Sequence, residues 1–184
     1  MPGQGFAALL ERAHEQYGYV TAADARELGL ADATLRTLAY RGDAERVAHG
    51  LYRLNAVPDT GLDQMMEATL WPRGLGVISH DTALGELWEL CDVNPAKVHV
   101  TVPARVRIRR QAPLAFAVHH RDLPVVDITR LNGIPVVTVR RAILDGIERH
   151  LGGHLIDQAI ATARSTGQLR GADLELIARA RSDR

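Results

Sequence analysis

The chain has 184 residues, of which 46% are hydrophobic, and a formal net charge of zero, so it can form one large or two small globular domains. Because basic residues are not in overall excess, any surface that binds nucleic acid has to be a local patch. The single cysteine, Cys91, excludes an internal disulfide and a cysteine-based zinc site.

The first 41 residues predict three helices. Residues 5–16 carry apolar side chains at helical spacing. The run Thr21–Asp24 resembles a capping box, so a second helix begins there and ends at Gly29, a residue that accepts the left-handed conformation common after helices. Asp32 then opens a third helix, which runs to Arg41.

A short strand pair follows the third helix. Residues 45–47 and 51–54 favour strands around a turn at 48–50. Helix, tight turn, helix and a two-stranded ribbon is the order of a winged helix-turn-helix, and a helix-turn-helix places its second helix in the DNA major groove. Residues 1–61 contain six arginines against eight acidic residues, a net charge of −2, so the contact depends on how the arginines are placed.

The third helix has one apolar and one polar face. Leu35 and Leu38 are three residues apart and face inward, whereas the opposite face is polar. Arginines on that face can bond guanine edges or phosphates, and basic residues of the ribbon can hold the flanking backbone. The predicted DNA-binding residues are Thr34, Arg36, Thr37, Tyr40, Arg41, Arg46, His49 and Arg53. The alternative is a winged-helix module that contacts proteins and leaves these arginines in solvent.

A polar break over residues 55–61 contains Pro58 and Gly61. It predicts a winged helix-turn-helix domain over 1–60 and a mixed α/β domain over 61–184, in the α/β (α+β) fold class. Helices are predicted over 62–71, 81–90, 139–150, around 155–163 and over 172–181. Strands are predicted over 76–78, 98–103, 107–110, 115–120 and 134–137.

The second domain offers residue types used in catalysis, but not in a catalytic pattern. The run Ser79–Asp81 contains Ser, His and Asp, yet members of a catalytic triad converge from separate parts of a fold. Capping of the helix explains its Ser or Asp better. His119 and His120 are neighbours in a predicted strand and therefore point to opposite faces. A composite metal site that adds His80 and His99 stays open as an alternative, while the sequence predicts no metal site, cofactor or enzymatic activity.

A basic tract forms a candidate second basic surface, with the residues Arg105, Arg107, Arg109 and Arg110. Alternation in an extended segment would align the first three of them on one face. Such a ridge could contact phosphates or dock an acidic protein. It could equally be a solvated edge strand that its charge protects from pairing with other chains.

Motifs along the chain resemble AbiEi-family antitoxins. The winged helix over Tyr19–Leu54 is similar to the N-terminal domain of that family. Further segments recur in the family in the same order, namely Val77–Leu84, His99–Pro103, Gly133–Thr138 and Arg141–Asp145. The resemblance covers nearly the whole chain, and it departs from the family pattern at 31–32, where Ala-Asp stands in place of a Ser or Thr cap.

The resemblance implies an antitoxin of a bacterial type IV toxin–antitoxin system. In that family the winged helix binds inverted repeats in its own promoter and represses the operon, and the C-terminal domain counters a nucleotidyltransferase-like toxin. The implied recognition helix is 33–41 and the implied wing is 46–53. The implied partners are double-stranded promoter DNA and the cognate toxin, with no catalytic residues to transfer.

Two other functions stay open beside the antitoxin. One is a winged-helix protein-interaction module without DNA binding, and the other is a DNA-associated nuclease. The nuclease is disfavoured by the lack of clustered carboxylates with a nearby lysine. No apolar run approaches the roughly 20 residues of a membrane span, and the N-terminus lacks the features of a signal peptide. We therefore expect a cytoplasmic protein without a membrane partner.

Overall fold

The computed structural model describes residues 4–31, 33–107 and 115–183. The chain divides into two compact units, Met1–Gly74 and Leu75–Arg184. Each unit combines helices with its own β-sheet, which confirms the predicted class of a winged helix-turn-helix followed by a mixed α/β region. Among the described helices, none is long and apolar enough to span a membrane.

The first unit has the element order of a winged helix-turn-helix. Its helices are α1 (Gln4–Glu15), α2 (Ala22–Glu27), α3 (Ala33–Arg41) and α4 (Asp63–Leu70). Its strands are β1 (Tyr19–Thr21), β2 (Ala44–Ala48) and β3 (Leu51–Leu54). They form an antiparallel sheet in the order β1-β3-β2. The sequence predicted β2 and β3 but missed β1, which has only three residues and so shows too little alternation to be recognised.

The start of α2 is the predicted capping box. The Thr21 hydroxyl accepts a hydrogen bond from the Asp24 backbone N–H at 3.1 Å, and the Asp24 carboxylate accepts one from the Thr21 N–H at 2.7 Å. Gly29 follows the helix in a left-handed conformation, with φ of 71°. The predicted cap of α3, Asp32, lies outside the described residues.

One apolar core holds the helices of the first unit against its sheet. The largest side chains in it come from α1, α3 and the strands, and include Leu9, Val20, Leu35, Tyr52 and Leu54. Because Leu35 and Leu38 of α3 are both buried, the orientation of α3 is fixed and its opposite face is directed outward.

The first compact unit continues past the polar break at 55–61 and includes α4. The Tyr19 hydroxyl on β1 donates a hydrogen bond to the Glu67 carboxylate on α4 at 2.9 Å. The domain boundary predicted at residue 60 assigns α4 to the second domain, whereas the compact units separate after Gly74. The contact between α4 and β1 explains why α4 groups with the winged helix.

The second unit is built on a five-stranded mixed sheet in the order β6-β5-β4-β8-β7. Its strands are β4 (Val77–Ile78), β5 (Val98–Val102), β6 (Phe116–His120), β7 (Ile128–Leu131) and β8 (Ile134–Val137). Its helices are α5 (His80–Thr82), α6 (Val139–Glu148), α7 (Gly153–Ser165) and α8 (Gly171–Ser182). A π-helical turn over Ala83–Leu87 continues α5, and a 3-10 turn over Val125–Asp127 precedes β7. Strands β5 and β6 are parallel, as are β4 and β8, while β4–β5 and β7–β8 pair antiparallel.

Three local predictions for this unit differ from the structure. The predicted helix 81–90 is one α-helical turn followed by the π-helical turn, with Trp88 N–H bonded five residues back to the Ala83 carbonyl. Of the two predicted capping residues, Ser79 or Asp81, Ser79 occupies the N-cap position of α5, but its hydroxyl makes no cap bond and instead contacts Thr101 and His80 at 2.8 Å each. Strand β7 was not predicted from the sequence.

Candidate functional site

The outward face of α3 presents the predicted contact residues to solvent. Ala33, Arg36, Thr37, Tyr40 and Arg41 are all exposed, and Tyr40 is 92% exposed although it is a large aromatic residue. Residues three and four apart on a helix are neighbours on its surface. The face is therefore one continuous polar patch that carries two guanidinium groups and a phenol.

The two arginines of this face are not neutralised by the rest of the described chain. No described carboxylate lies within ion-pair distance of Arg36 or Arg41. The Thr37 hydroxyl donates to the Ala33 carbonyl at 3.0 Å, which leaves its oxygen lone pairs able to accept. Thr34 is half-buried at the edge of the same face. Free guanidinium groups on an exposed helix suit contacts to phosphates and guanine edges.

The sheet register places Arg46 on the face that packs against α1, α2 and α3. Arg46 pairs across the sheet with Tyr52, which pairs with Val20, and both partners belong to the helix-facing core. The exposed Arg46 guanidinium lies 3.4 Å from Nδ1 of His49 in the turn. This turn is tied to α2, because the Ala22 N–H donates to the Gly50 carbonyl at 2.9 Å. Arg46 and His49 thus lie on a wing that is fixed relative to the helices.

Arg53 lies on the opposite face of the same sheet. It pairs across the strands with Glu45 and Tyr19. Because Glu45 is the residue before Arg46 and successive strand residues point to opposite faces, Arg53 and Arg46 lie on opposite faces. Its guanidinium donates to the Val57 carbonyl at 3.2 Å and forms ion pairs with Asp59 and, at 3.6 Å, Asp63. The structure therefore joins Arg53 to the segment after β3 and not to the α3 face.

The helix that supports α3 is anchored by a buried carboxylate. Asp24 is 7% exposed and accepts from Thr21, Gln16 and Arg12. Burial raises the pKa of Asp24, but these hydrogen bonds outweigh it, and the pKa lies below its usual value. An ionised carboxylate at this position fixes the start of α2.

The candidate second basic surface is only partly described. Arg105 and Arg107 are exposed, and the segment starts as a turn in which the Val106 N–H donates to the Pro103 carbonyl at 2.9 Å. Arg105 therefore lies in a turn and not in the expected extended segment. Arg109 and Arg110 lie outside the described residues.

Three histidines that the sequence separates widely converge in the second unit. His80 follows β4, His99 lies on β5 and His119 lies on β6. One ring nitrogen of each lies within 4.8 Å of those of the others. Burial is the main cause that lowers the pKa of His80 to about 2 and that of His119 to about 4. The strand period did indicate that His119 and His120 face opposite sides, but the pairing of three strands is not readable from a single sequence.

The comparison with known families bears on the first unit. Residues 7–55 match the family described as transcriptional regulators, AbiEi antitoxin. No curated relative matches the chain. The matched segment runs from α1 through β3 and so contains the whole helix-turn-helix and wing, whereas the motifs of the second unit lie outside it. The resemblance to AbiEi-family antitoxins is therefore confirmed over the winged helix, which this chain shares with that family of transcriptional regulators.

Proposed function

We propose that the protein is an antitoxin that binds its own promoter and represses transcription. The observation that carries this proposal is the exposed face of α3, whose arginines have no carboxylate partner among the described residues, in a segment that matches a family of antitoxin regulators. A helix held by a buried leucine pair and bearing guanidinium groups outward has the chemistry of a recognition helix.

The proposed DNA-contacting residues divide into two roles. Arg36 and Arg41 extend from α3 to guanine edges, where a guanidinium can form two parallel hydrogen bonds. Thr34, Thr37 and Tyr40 contact phosphates or a thymine methyl group, and Arg46 and His49 hold the backbone beside the groove. Arg53, which pairs with Asp59 and Asp63, supports the wing from behind.

Fluorescence anisotropy tests this proposal with a duplex from upstream of the gene and a scrambled duplex, across a salt series. We expect preference for the upstream duplex. The affinity should fall with salt concentration with a slope that corresponds to several phosphate contacts. Arg36→Ala should weaken binding to the upstream duplex by about 1–3 kcal/mol. Arg179→Ala is the matched control, because it removes an exposed arginine from α8 in the second unit.

Equal affinity of the wild type for both duplexes, or unchanged affinity of the Arg36 variant, would overturn the docking. A protein-interaction module would then explain the α3 face better. Incubation of the same duplexes with Mg²⁺ or Mn²⁺ separates the nuclease alternative, and we expect no cleavage products.

The antitoxin half of the proposal assigns the second partner. We propose that the chain counters a nucleotidyltransferase-like toxin encoded beside it, and that it does so without catalysing a reaction itself. The family description as an antitoxin supports this assignment. In a co-expression assay the wild type should restore growth of cells that carry the adjacent gene. If the second unit performs this role, Arg36→Ala should restore growth as well as the wild type does while losing promoter binding.

A further inference from the structure

The cluster of His80, His99 and His119 lies in the second unit and is independent of the DNA-binding proposal. Nδ1 of His99 and Nε2 of His119 are 3.1 Å apart. The rings of His80 and His119 are stacked with centroids 3.7 Å apart, and those of His99 and His119 are 5.1 Å apart. His80 and His99 are 5% and 7% exposed, and His119 is half-buried. The three imidazoles therefore form a compact group, and His119 is its most solvent-exposed member.

The strand register explains why they meet. Thr101 on β5 pairs with His119 on β6, so their side chains point to the same face of the sheet. His99 is two residues before Thr101 and therefore points to that face as well. Ser79, at the end of β4, bonds Thr101 through its hydroxyl and holds Nδ1 of His80 at 2.8 Å. The backbone of His80 is left-handed, with φ of 54°, a conformation uncommon outside glycine.

The spacing of the ring nitrogens suits a metal ion. Zinc–nitrogen bonds of about 2.0–2.1 Å that meet at a tetrahedral angle place neighbouring ligand atoms about 3.3 Å apart. The 3.1 Å separation of the His99 and His119 nitrogens is already close to this value. The remaining nitrogen lies within 4.8 Å, a distance that rotation of one imidazole can shorten. We propose that His80, His99 and His119 bind a divalent transition-metal ion of the zinc class.

A carboxylate lies behind the cluster in the position of an outer partner. Asp145 on α6 is fully buried, and its Oδ2 has no hydrogen-bond partner in the described chain. This oxygen is 3.8 Å from Nδ1 of His80. Histidines that bind metals commonly direct their other ring nitrogen to a hydroxyl or carboxylate, which fixes the ring and its tautomer. Ser79 supplies such a group to Nδ1 of His80 and leaves Nε2 for the ion, while Asp145 lies just beyond hydrogen-bond distance of the same nitrogen.

One residue competes with the metal. The Arg149 guanidinium donates to Nδ1 of His99 at 2.7 Å and thereby occupies a lone pair that the ion would use. Arg149 is exposed and follows the last residue of α6, so its side chain can move into solvent. The guanidinium groups of Arg121 and Arg149 would also attract an anion, which is therefore the alternative ligand for this region. Substitution of Arg149 by alanine distinguishes the two ligands, because loss of the positive charge favours a cation and disfavours an anion.

Isothermal titration of the chelator-treated full chain with Zn²⁺ tests the site, with Co²⁺ absorption as a report on coordination. We expect one equivalent bound and a Co²⁺ spectrum typical of low coordination. His119→Ala should weaken binding by more than about 100-fold, since loss of an outer partner alone costs about 10–100-fold. His120→Ala is the matched control, because His120 is the next residue on β6 and is exposed, and it should bind as the wild type does. Arg149→Ala should bind Zn²⁺ more tightly.

Circular dichroism establishes that each variant is folded. His119→Cys tests whether His119→Ala loses binding because a ligand is removed or because the sheet is disturbed. A thiolate at this position is still a zinc ligand, so the variant should regain binding and add sulfur-to-cobalt charge-transfer absorption. The proposal is overturned if the wild type binds no stoichiometric Zn²⁺, if the His120 and His119 variants lose binding equally, or if Arg149→Ala weakens Zn²⁺ binding while the wild type binds inorganic phosphate.

Discussion

Two regions of this protein, the α3 face in the first unit and the surroundings of Asp145 in the second, place their polar side chains in opposite environments. On α3 the arginines lie in solvent without carboxylate partners among the described residues, whereas the second unit buries Asp145 and two histidines among fixed partners. An exposed charge contributes little to stability and is available to a ligand, while a buried one is costly unless every partner stays in place. Substitutions on α3 should therefore change binding, and substitutions around Asp145 should change stability first.

The largest expected effect is loss of stability in Asp145→Asn. The buried carboxylate pairs with Arg121 and with the Arg141 Nε at 3.0 Å, so its neutralisation leaves two guanidinium groups beside each other. Removal of one partner from a buried pair costs about 3–5 kcal/mol, and we expect about 3 because both arginines also reach Glu148. Urea denaturation followed by circular dichroism measures the change.

Glu148→Gln is the control for this variant, because Glu148 pairs with the same two arginines but its side chain is 54% exposed. It should lower the free energy of unfolding by less than about 1 kcal/mol. If the two substitutions lowered the free energy of unfolding equally, burial would not make Asp145 more important for stability than Glu148.

The next effect concerns Asp24, the buried carboxylate of the first unit. Asp24→Asn weakens the hydrogen bonds that the carboxylate accepts from the Thr21 N–H at 2.7 Å and from the Thr21 hydroxyl at 2.6 Å. Hydrogen bonds to a charged group contribute about 1.5–3 kcal/mol, and we expect a loss of stability in that range. DNA binding by the folded variant should stay close to that of the wild type, since Asp24 lies in the core and not on the α3 face.

The contribution of Asp24 should also depend on pH. Its pKa is lower in the folded chain than in the unfolded chain, so the folded state holds the proton less tightly. The stabilisation is then complete above the unfolded-state pKa of about 4 and is lost as pH falls through the folded-state value. The difference in unfolding free energy between wild type and Asp24→Asn should be constant from about pH 7 to 5 and shrink below about pH 4. A difference unchanged into strong acid would contradict this assignment.

Arg36→Lys separates the two kinds of contact that an exposed cation can make. Lysine keeps the charge but cannot form the paired hydrogen bonds of a guanidinium. If Arg36 reads a guanine, the variant should lose about 1–3 kcal/mol of preference for the upstream duplex over the scrambled one. The salt slope should stay unchanged because the number of neutralised phosphates does not change. Equal preference in the variant and the wild type would assign Arg36 to the DNA backbone.

The features of the first unit that the sequence predicted are those encoded within a few residues. The Thr21–Asp24 box, the glycine after α2 and the spacing of Leu35 and Leu38 each act over one or two helical turns, so periodicity and capping were sufficient. Strand β1 is three residues long, and its pairing with β3 depends on the folded unit. It was therefore invisible to local patterns.

The candidate sites depended on information that local patterns do not contain. Arg46 and Arg53 are both basic residues of the wing, yet the register places them on opposite faces, and the acidic partners of Arg53 come from the segment after β3. His80, His99 and His119 are brought together by the order β6-β5-β4 and by the parallel pairing of β5 with β6. A single sequence indicates the face of a residue within its strand, but not which strands become neighbours.

The smallest expected effect tests the two faces of the wing directly. Arg46→Ala should reduce the salt slope of DNA binding by about one unit, because the exposed guanidinium neutralises one phosphate. Arg53→Ala removes the same charge from the face that is engaged by Asp59 and Asp63, so it should leave the salt slope close to that of the wild type. Anisotropy titrations of both variants on the upstream duplex at four or more salt concentrations measure the slopes. If Arg53→Ala reduced the slope as much as Arg46→Ala does, the DNA backbone would have to reach the α4 side of the sheet. The face that carries Arg46 would then not be the binding face of the wing.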